Sequence, residues 1–176
     1  MPFSIAFVGV DGAGKTTLIN KTLGTLDWFV VSHQIKVMRL FYHHQKSPFW
    51  ELINLLECVI QNWVWKQRLK KGISIFMDRC YICALVYSEI EGYPQIAGEL
   101  TKYASTPDIV VLLEPVEELV PRAYEFTRQY KKTLKDEGYL CFKRGNHLFG
   151  RVTFWKKPEI VVTPLLKYYT DVIGSI

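Results

Sequence analysis

The sequence contains few of the residues that would mark a secreted, membrane-spanning or metal-clustering protein. Its 176 residues include four cysteines and four histidines, and no apolar run approaches the ~20 residues that a transmembrane helix needs. The first residues are typical of a strand and a loop rather than of a signal peptide, so we expect a cytoplasmic protein that does not contact a membrane. In that compartment the cysteines are expected to be reduced thiols.

Internal repeats, low-complexity segments and long basic tracts are also missing. The net charge is +5, but the basic residues are divided among short clusters at 68–71, 131–132, 143–144 and 156–157. None has the five or more basic residues of a nucleic-acid-binding tract, so we interpret most of them as solvated helix ends and loops, and nucleic acid is not an expected partner. A hydrophobic content of 49% over this length predicts one globular domain, residues 1–176.

Against this background, residues 9–17 (GVDGAGKTT) form a recognisable motif after the apolar run FSIAFV. Gly9, Gly14, Lys15 and Thr16 fit the pattern G-x-x-x-x-G-K-[ST]. Glycines allow the backbone to turn its N–H groups towards phosphate oxygens, the lysine adds a positive charge, and the hydroxyl is a suitable Mg²⁺ ligand. The sequence therefore predicts a phosphate-binding loop between a strand and a helix, where the helix dipole also favours an anion.

Apolar runs alternate with helical patterns along the rest of the chain. Predicted strands cover residues 3–8, 35–41, 73–77, 109–113 and 139–142. Predicted helices follow the loop and cover 49–71, 81–91, 95–103, 117–137 and 159–173, with Gly72 ending the second of them. Continuous apolar strands between helices predict a central parallel sheet of about five strands in a three-layer α/β fold, the P-loop NTPase fold, with ligands at the carboxyl ends of the strands.

A second motif, FMDRC, places Asp78 and Arg79 at the end of the third predicted strand. A carboxylate at that edge can hold Mg²⁺ opposite Thr16, and the arginine fork suits a phosphate. Beside a phosphate loop, we favour this interpretation over a structural salt bridge.

At this point the sequence resembles thymidylate kinase and its relatives among the nucleoside monophosphate kinases. The resemblance is carried by GVDGAGKTT, KKGISIFMDR and STPDIVVLLE and covers about residues 3–114, with a looser match in RQYKKTLKDEGYLCF. It implies transfer of the γ-phosphate of ATP to a (deoxy)nucleoside monophosphate, with Mg²⁺.

The resemblance also implies roles for individual residues. Lys15 and Thr16 would hold ATP and Mg²⁺, Asp78 and Arg79 would bind the metal and phosphate groups, and Asp11 would face the acceptor. Tyr87 falls where the family has a tyrosine near the acceptor, Arg39 is the best candidate for the arginine that binds the acceptor phosphate, and Arg122 matches an arginine of the closing lid. The predicted ATP-binding residues are Gly9, Asp11, Gly12, Ala13, Gly14, Lys15, Thr16 and Thr17.

Two departures from the family keep the function open. Glu57 occupies the region where the family has an arginine that reads thymine, and the lid is short, with only Arg122 and Arg128 available as a charge clamp. The alternatives are a kinase of another small acceptor, such as a nucleoside or metabolite, and an ATP-binding protein with little catalytic activity.

Other constellations are better explained by structure than by chemistry. Cys80 and Cys83 form a single C-x-x-C, for which we favour structural cysteines over a redox pair or a metal site. Most of the aromatic residues near the 49–71 helix are interpreted as core or interface, and this helix is our candidate surface for a homodimer.

Overall fold

The structure, a computed structural model, describes residues 2–25, 30–32, 59–60, 63–91, 102, 104–116, 118–148 and 150–175. Within these residues, six strands form one sheet in the order β2-β3-β1-β4-β6-β5. The strands are β1 (Ser4–Val8), β2 (Val30–Ser32), β3 (Ile75–Asp78), β4 (Ile109–Pro115), β5 (Leu140–His147) and β6 (Gly150–Lys156). The helices are α1 (Lys15–Thr25), α2 (residues 63–70), α3 (Tyr81–Glu91), α4 (Ala123–Asp136) and α5 (Pro164–Ile173).

Helices cover both faces of the central strands. All five residues of β1 and the first five of β4 are buried, and successive side chains of a strand point to opposite faces, so neither face is open to water. On one face, Tyr169 of α5 packs against Phe3 and Phe76, with ring centroids 5.3 and 6.1 Å away. α3 and α4 pack against each other. The predicted α/β P-loop fold is therefore confirmed.

The parallel part of the sheet brings the two sequence motifs to the same edge. β1 lies between β3 and β4 and is parallel to both, and Phe7 is paired with Asp78. The loop that follows β1 and the Asp78-Arg79 pair that ends β3 are consequently neighbours, as the positions of the two motifs predict.

The sheet is mixed, which corrects the prediction of about five parallel strands. β5 and β6 form an antiparallel hairpin, and β6 pairs antiparallel with β4. Only residues 139–142 were predicted as a strand in this region, whereas β5 continues to His147 and β6 was missed. Gly150 begins β6 with φ 155°, where an added Cβ would lie 2.2 Å from the Glu114 carbonyl oxygen.

The last two helices begin later than the sequence pattern predicts, and each start has a local cause. Arg122 takes a left-handed conformation, φ 66°, directly after Pro121, so α4 begins at Ala123 rather than near residue 117. Pro164 does not weaken a helix but begins α5, because proline lacks only an N–H that the first turn does not use. The Thr163 side chain caps this helix by accepting from the Leu166 N–H at 3.3 Å.

Other boundaries follow the prediction more closely. α3 has the predicted bounds, and α2 ends at residue 70, two residues before Gly72, whose φ is 74°. The third strand was predicted at 73–77 and is found at Ile75–Asp78.

Several predictions concern residues outside the described ranges. They include the strand at 35–41 with Arg39, Glu57, most of the helix at 95–103 and the first part of the candidate dimer helix at 49–71. Within the described residues, no helix combines the length and the apolar character required to cross a membrane.

Candidate functional site

The phosphate loop depends on a close approach between backbones. Gly9 has φ 146°, and a Cβ at this position would lie 2.7 Å from the Leu113 carbonyl oxygen, a distance that no side chain tolerates. Because Gly9 has no side chain, the backbone at the start of the loop can lie directly against the backbone of β4. Lys15, the first residue of α1, then places its ammonium group within the loop.

Lys15 is buried and held by the loop itself. Its Nζ donates to the carbonyl oxygens of Gly9 at 3.0 Å and Val10 at 2.9 Å. Burial, followed by the charge of Arg79, lowers the pKa of Lys15 to about 8, although the carboxylates of Asp11 and Asp78 act in the opposite direction. The site therefore concentrates positive charge where the sequence predicts phosphate.

Thr16 and Asp78 meet across the gap between α1 and β3. The Thr16 hydroxyl donates to Asp78 Oδ2 at 3.1 Å. Asp78 is only 7% exposed, and its other carboxylate oxygen has no hydrogen-bond partner among the described residues. An unpartnered buried carboxylate oxygen beside a hydroxyl is a donor set that suits Mg²⁺, which prefers few protein oxygens and completes its shell with water and phosphate.

Asp11 of the loop is contacted by Arg79 and Tyr87, and these three residues are here called the Asp11 cluster. One guanidinium nitrogen of Arg79, Nη2, pairs with Asp11 Oδ1, and the Tyr87 hydroxyl donates to Asp11 Oδ2 at 3.3 Å. The guanidinium also lies 5.7 Å from the centre of the Tyr87 ring. Burial raises the pKa of Tyr87 to about 12, so the phenol stays protonated and can donate at neutral pH.

The backbone holds Arg79 in an uncommon conformation. Its φ is 73° although it carries a side chain, and its N–H donates to the Phe7 carbonyl oxygen at 2.9 Å. This left-handed geometry is sparsely populated for residues other than glycine and costs roughly 1 kcal/mol. The second guanidinium nitrogen, Nη1, is buried without a partner among the described residues, which leaves a donor for an anion.

The segment that the sequence predicts to be a lid lies against the loop at Val120, but Arg122 contacts other residues. Val120 comes within 3.7 Å of the position that a Cβ on Gly12 would take. Arg122 Nε donates to Glu125 at 3.2 Å, and its guanidinium lies 5.4 Å from the centre of the Phe126 ring. The centre of the Phe126 ring in turn lies 4.9 Å from that of Tyr87, so Phe126 contacts both Arg122 and the Asp11 cluster.

Tyr130 of α4 is a site neighbour that the sequence analysis missed. Its hydroxyl donates to the Gly9 carbonyl oxygen at 3.3 Å, the same oxygen that accepts from Lys15. Tyr130 is fully buried, and this burial raises its pKa well above the usual value for tyrosine. The repeat of Phe126, Tyr130 and Leu134 predicts a buried helix face, but no pattern in the sequence connects that face to residue 9.

The two cysteines of the C-x-x-C motif are free and buried, as expected for structural residues. Among the described residues, no group of three or more histidine, cysteine, aspartate or glutamate side chains is arranged to hold a metal ion. A metal at this site would therefore depend on Thr16, Asp78 and ligand oxygens.

Comparison with known proteins gives one similar sequence and similar solved structures, whereas no family model matches. The chain is 27% identical over 150 residues to probable thymidylate kinase 1 of Saccharolobus solfataricus, covering 74% of this chain and 75% of that protein. The NadR protein in complex with NR has a TM-score of 0.59 at 15% identity. The match covers 78% of this chain but only 42% of that one, so this chain spans less than half of its length.

The thymidylate kinase of Ehrlichia chaffeensis has a TM-score of 0.57 at 18% identity, covering 77% of this chain and 86% of that one. At such identities the two structures establish a shared fold, and the curated relative adds a similarity in sequence. Sequence and fold together support a P-loop protein that is similar to thymidylate kinases and other nucleotide kinases.

Proposed function

We propose that this chain is a single-domain kinase that transfers the γ-phosphate of ATP to a (deoxy)nucleoside monophosphate. The observation that carries the proposal is the Asp11 cluster, in which Arg79 and Tyr87 contact a residue of the phosphate loop itself. One side of the site has the chemistry to hold a nucleoside triphosphate, and the other offers an arginine, a carboxylate and a phenol to a second ligand.

In this proposal, ATP binds through the backbone N–H groups of residues 9–17. Lys15, now bound to the carbonyl oxygens of Gly9 and Val10, would turn to the β- and γ-phosphates, where its charge is most useful as the bond to the transferred group breaks. Catalysis of this kind depends on placement and electrostatic stabilisation, so no covalent nucleophile is required.

Thr16 and Asp78 are the residues that would hold Mg²⁺. The metal, when bound, would neutralise charge on the phosphates. Asp78 can supply the oxygen that lacks a partner and keep its contact with Thr16 through the other.

The acceptor would bind at the Asp11 cluster. Arg79 Nη1, which has no partner among the described residues, would bind the acceptor phosphate, while the pairing of Nη2 with Asp11 fixes the guanidinium. Asp11, which also accepts from Tyr87, would orient the acceptor sugar, and Arg39 would contribute a second charge to the phosphate. Closure would require Arg122 to exchange Glu125 for phosphate oxygens, bringing a further charge to the transition state.

The decisive experiment measures ADP release from Mg-ATP by the purified protein, alone and with each common nucleoside monophosphate and nucleoside. We expect strong stimulation by one monophosphate. Lys15→Ala should abolish it, whereas Lys66→Ala, the same change at an exposed position, should not. Normal turnover by the Lys15 variant would exclude this site as the catalytic centre.

One alternative has a specific observation behind it. Because a glutamate, Glu57, stands where the family has its thymine-reading arginine, the acceptor can be a nucleoside or another small molecule rather than thymidylate. Stimulation by a nucleoside alone would establish that alternative. ATP binding with no stimulation by any acceptor would instead indicate a nucleotide-binding protein whose lid does not complete a catalytic site.

A further inference from the structure

A long groove on the far side of α4 is separate from the phosphate-loop site. It runs between α4 and the β5–β6 hairpin as two adjoining hollows of about 710 and 340 Å³, which share Glu114, Lys131, Lys135 and Arg151. None of its described lining residues belongs to the phosphate loop, the Thr16–Asp78 pair or the Asp11 cluster. We call it the basic groove.

The basic groove gathers charges that are scattered in the sequence. Six basic side chains line it, from a helix and from two strands: Arg128, Lys131, Lys132, Lys135, Arg144 and Arg151. The only acidic side chains among its described lining residues are Glu114 and Asp136, so its formal charge is +4. Since the whole chain has a net charge of +5, nearly all of the excess lies here.

Most of these charges are available to a ligand. Lys131 pairs with Glu114 at 2.7 Å, and Lys132 lies 3.8 Å from Glu89. The other four, Arg128, Lys135, Arg144 and Arg151, form no ion pair with any residue that the structure describes. Unpaired like charges that lie in one groove repel each other. An anion that bound there would reduce this repulsion and so stabilise the fold.

We propose that the basic groove binds single-stranded nucleic acid through its phosphate backbone. Arg128, Lys131 and Lys135 follow one face of α4 at intervals of three and four residues, so they are spread over about 10 Å of helix axis rather than focused on one point. A row of separated cations fits a chain of successive phosphates better than the compact phosphates of one small molecule.

An aromatic ring at the head of this row supports the same ligand. Tyr124 lies one turn before Arg128 on the same face of α4 and is 68% exposed in the groove lining. Exposed aromatic rings beside a basic track provide stacking surfaces for bases and do so without regard to sequence. Arginine, which supplies half of the six cations, is the side chain best shaped for phosphate.

Fluorescence anisotropy of a labelled oligodeoxycytidylate of about 15 nucleotides tests the proposal, with excess Mg-ATP present to occupy the phosphate loop. If the four unpaired cations each contact a phosphate, log K should fall with log salt with a slope of about −2.8 between about 50 and 200 mM. The variant Lys135→Ala/Arg144→Ala/Arg151→Ala should reduce that slope to about −0.7. The matched control is Lys66→Ala/Lys70→Ala/Lys71→Ala, three exposed lysines outside the groove, and it should behave as the unmodified protein.

Several outcomes would overturn the proposal. Displacement of the strand by Mg-ATP would place it at the phosphate loop, and an equal loss in the control variant would indicate non-specific attraction to net charge. Competition by tripolyphosphate at equal phosphate concentration would show a site for short phosphate chains. If the triple variant does not fold in a thermal unfolding test, the single substitutions replace it. Each should reduce the magnitude of the slope of log K against log salt by about 0.7. An unchanged slope would equally refute the proposal. The assay measures binding only, so its result is independent of the proposed phosphoryl transfer.

Discussion

At the scale of single residues, the buried charge of Lys15 in the phosphate loop lowers the stability of the folded state. Its ammonium is buried and has two backbone carbonyls as partners, which compensate only partly for lost water. Its pKa of about 8 lies below the value of about 10.5 expected in the unfolded chain. Below pH 8 the folded state must therefore carry a charge that it holds less well than the unfolded state does.

This difference predicts a pH dependence of stability. Between pH 8 and 10.5 the unfolded chain binds more protons at Lys15 than the folded chain, so its contribution to the free energy of unfolding rises with pH in that window. Urea unfolding at pH 7.5 and 9.5 measures this effect. Between these two pH values, the increase in the free energy of unfolding should be about 2 kcal/mol larger for the unmodified protein than for Lys15→Met. Equal gains in the two proteins would mean that Lys15 titrates normally.

Individual site residues could be located from the sequence where a local pattern carries the information. The loop motif and the Asp-Arg pair predict that Thr16 and Asp78 are neighbours, and they lie 3.1 Å apart. Their roles in binding and transfer remain predictions. The side-chain directions could not be foreseen, because Arg122 turns to Glu125 and Phe126 through a left-handed backbone that nothing in the sequence requires.

At the scale of elements, α4 links the segment that precedes it to the phosphate loop. Arg122 immediately precedes this helix, Phe126 lies in its first turn, and Tyr130 in its middle donates through its hydroxyl to the Gly9 carbonyl oxygen. This hydrogen bond joins residues that are 121 positions apart in the sequence.

We expect Tyr130→Phe to lower the free energy of unfolding by about 1 kcal/mol, the net contribution of one ordinary hydrogen bond. The loss stays modest because Lys15 still donates to the same carbonyl oxygen. Tyr124→Phe removes a hydroxyl from the same helix at an exposed position and serves as the control in urea unfolding. An equal effect of the two substitutions would show that the contact with Gly9 contributes nothing.

The β5–β6 hairpin shows which elements a sequence pattern conceals. The central strands are predictable because both of their faces are buried and their sequences are continuously apolar. β5 lies at the edge of the sheet and alternates between exposed and half-buried residues, with Lys143 and Arg144 in its middle, so it has the composition of a loop. β6 contains the buried run VTFW, whose β-branched and aromatic residues are a strand signal that could have been recognised.

At the scale of the whole molecule, the two sides of α4 differ: one is buried and apolar, and the other is exposed and basic. Towards the phosphate loop, Tyr130 and Phe126 are buried and connect the helix to the site. On the other side, the helix presents the cations of the basic groove, together with a hairpin that the parallel-sheet prediction did not include. The sequence could not reveal this groove, because it is assembled from residues that only the antiparallel return of β6 brings together.

The fold also contains a destabilising buried carboxylate, which a bound metal would compensate. Asp78 is buried with one carboxylate oxygen unpartnered among the described residues, and such a group destabilises a protein unless it is compensated. Asp78→Asn keeps an oxygen to accept from Thr16 and removes the charge. We therefore expect the free energy of unfolding of this variant, measured without ligand, to equal or exceed that of the unmodified protein.

The same substitution should nevertheless weaken the response to ligand. Mg-ATP at about 100 times its dissociation constant should raise the free energy of unfolding of the unmodified protein by about 2.7 kcal/mol. In Asp78→Asn the difference between Mg-ATP and ATP with EDTA should largely disappear, because the carboxylate oxygen that would hold the metal is gone. Thermal unfolding with and without Mg²⁺ measures both effects. A variant that is less stable alone but responds fully to Mg-ATP would show that Asp78 supports the fold rather than the metal.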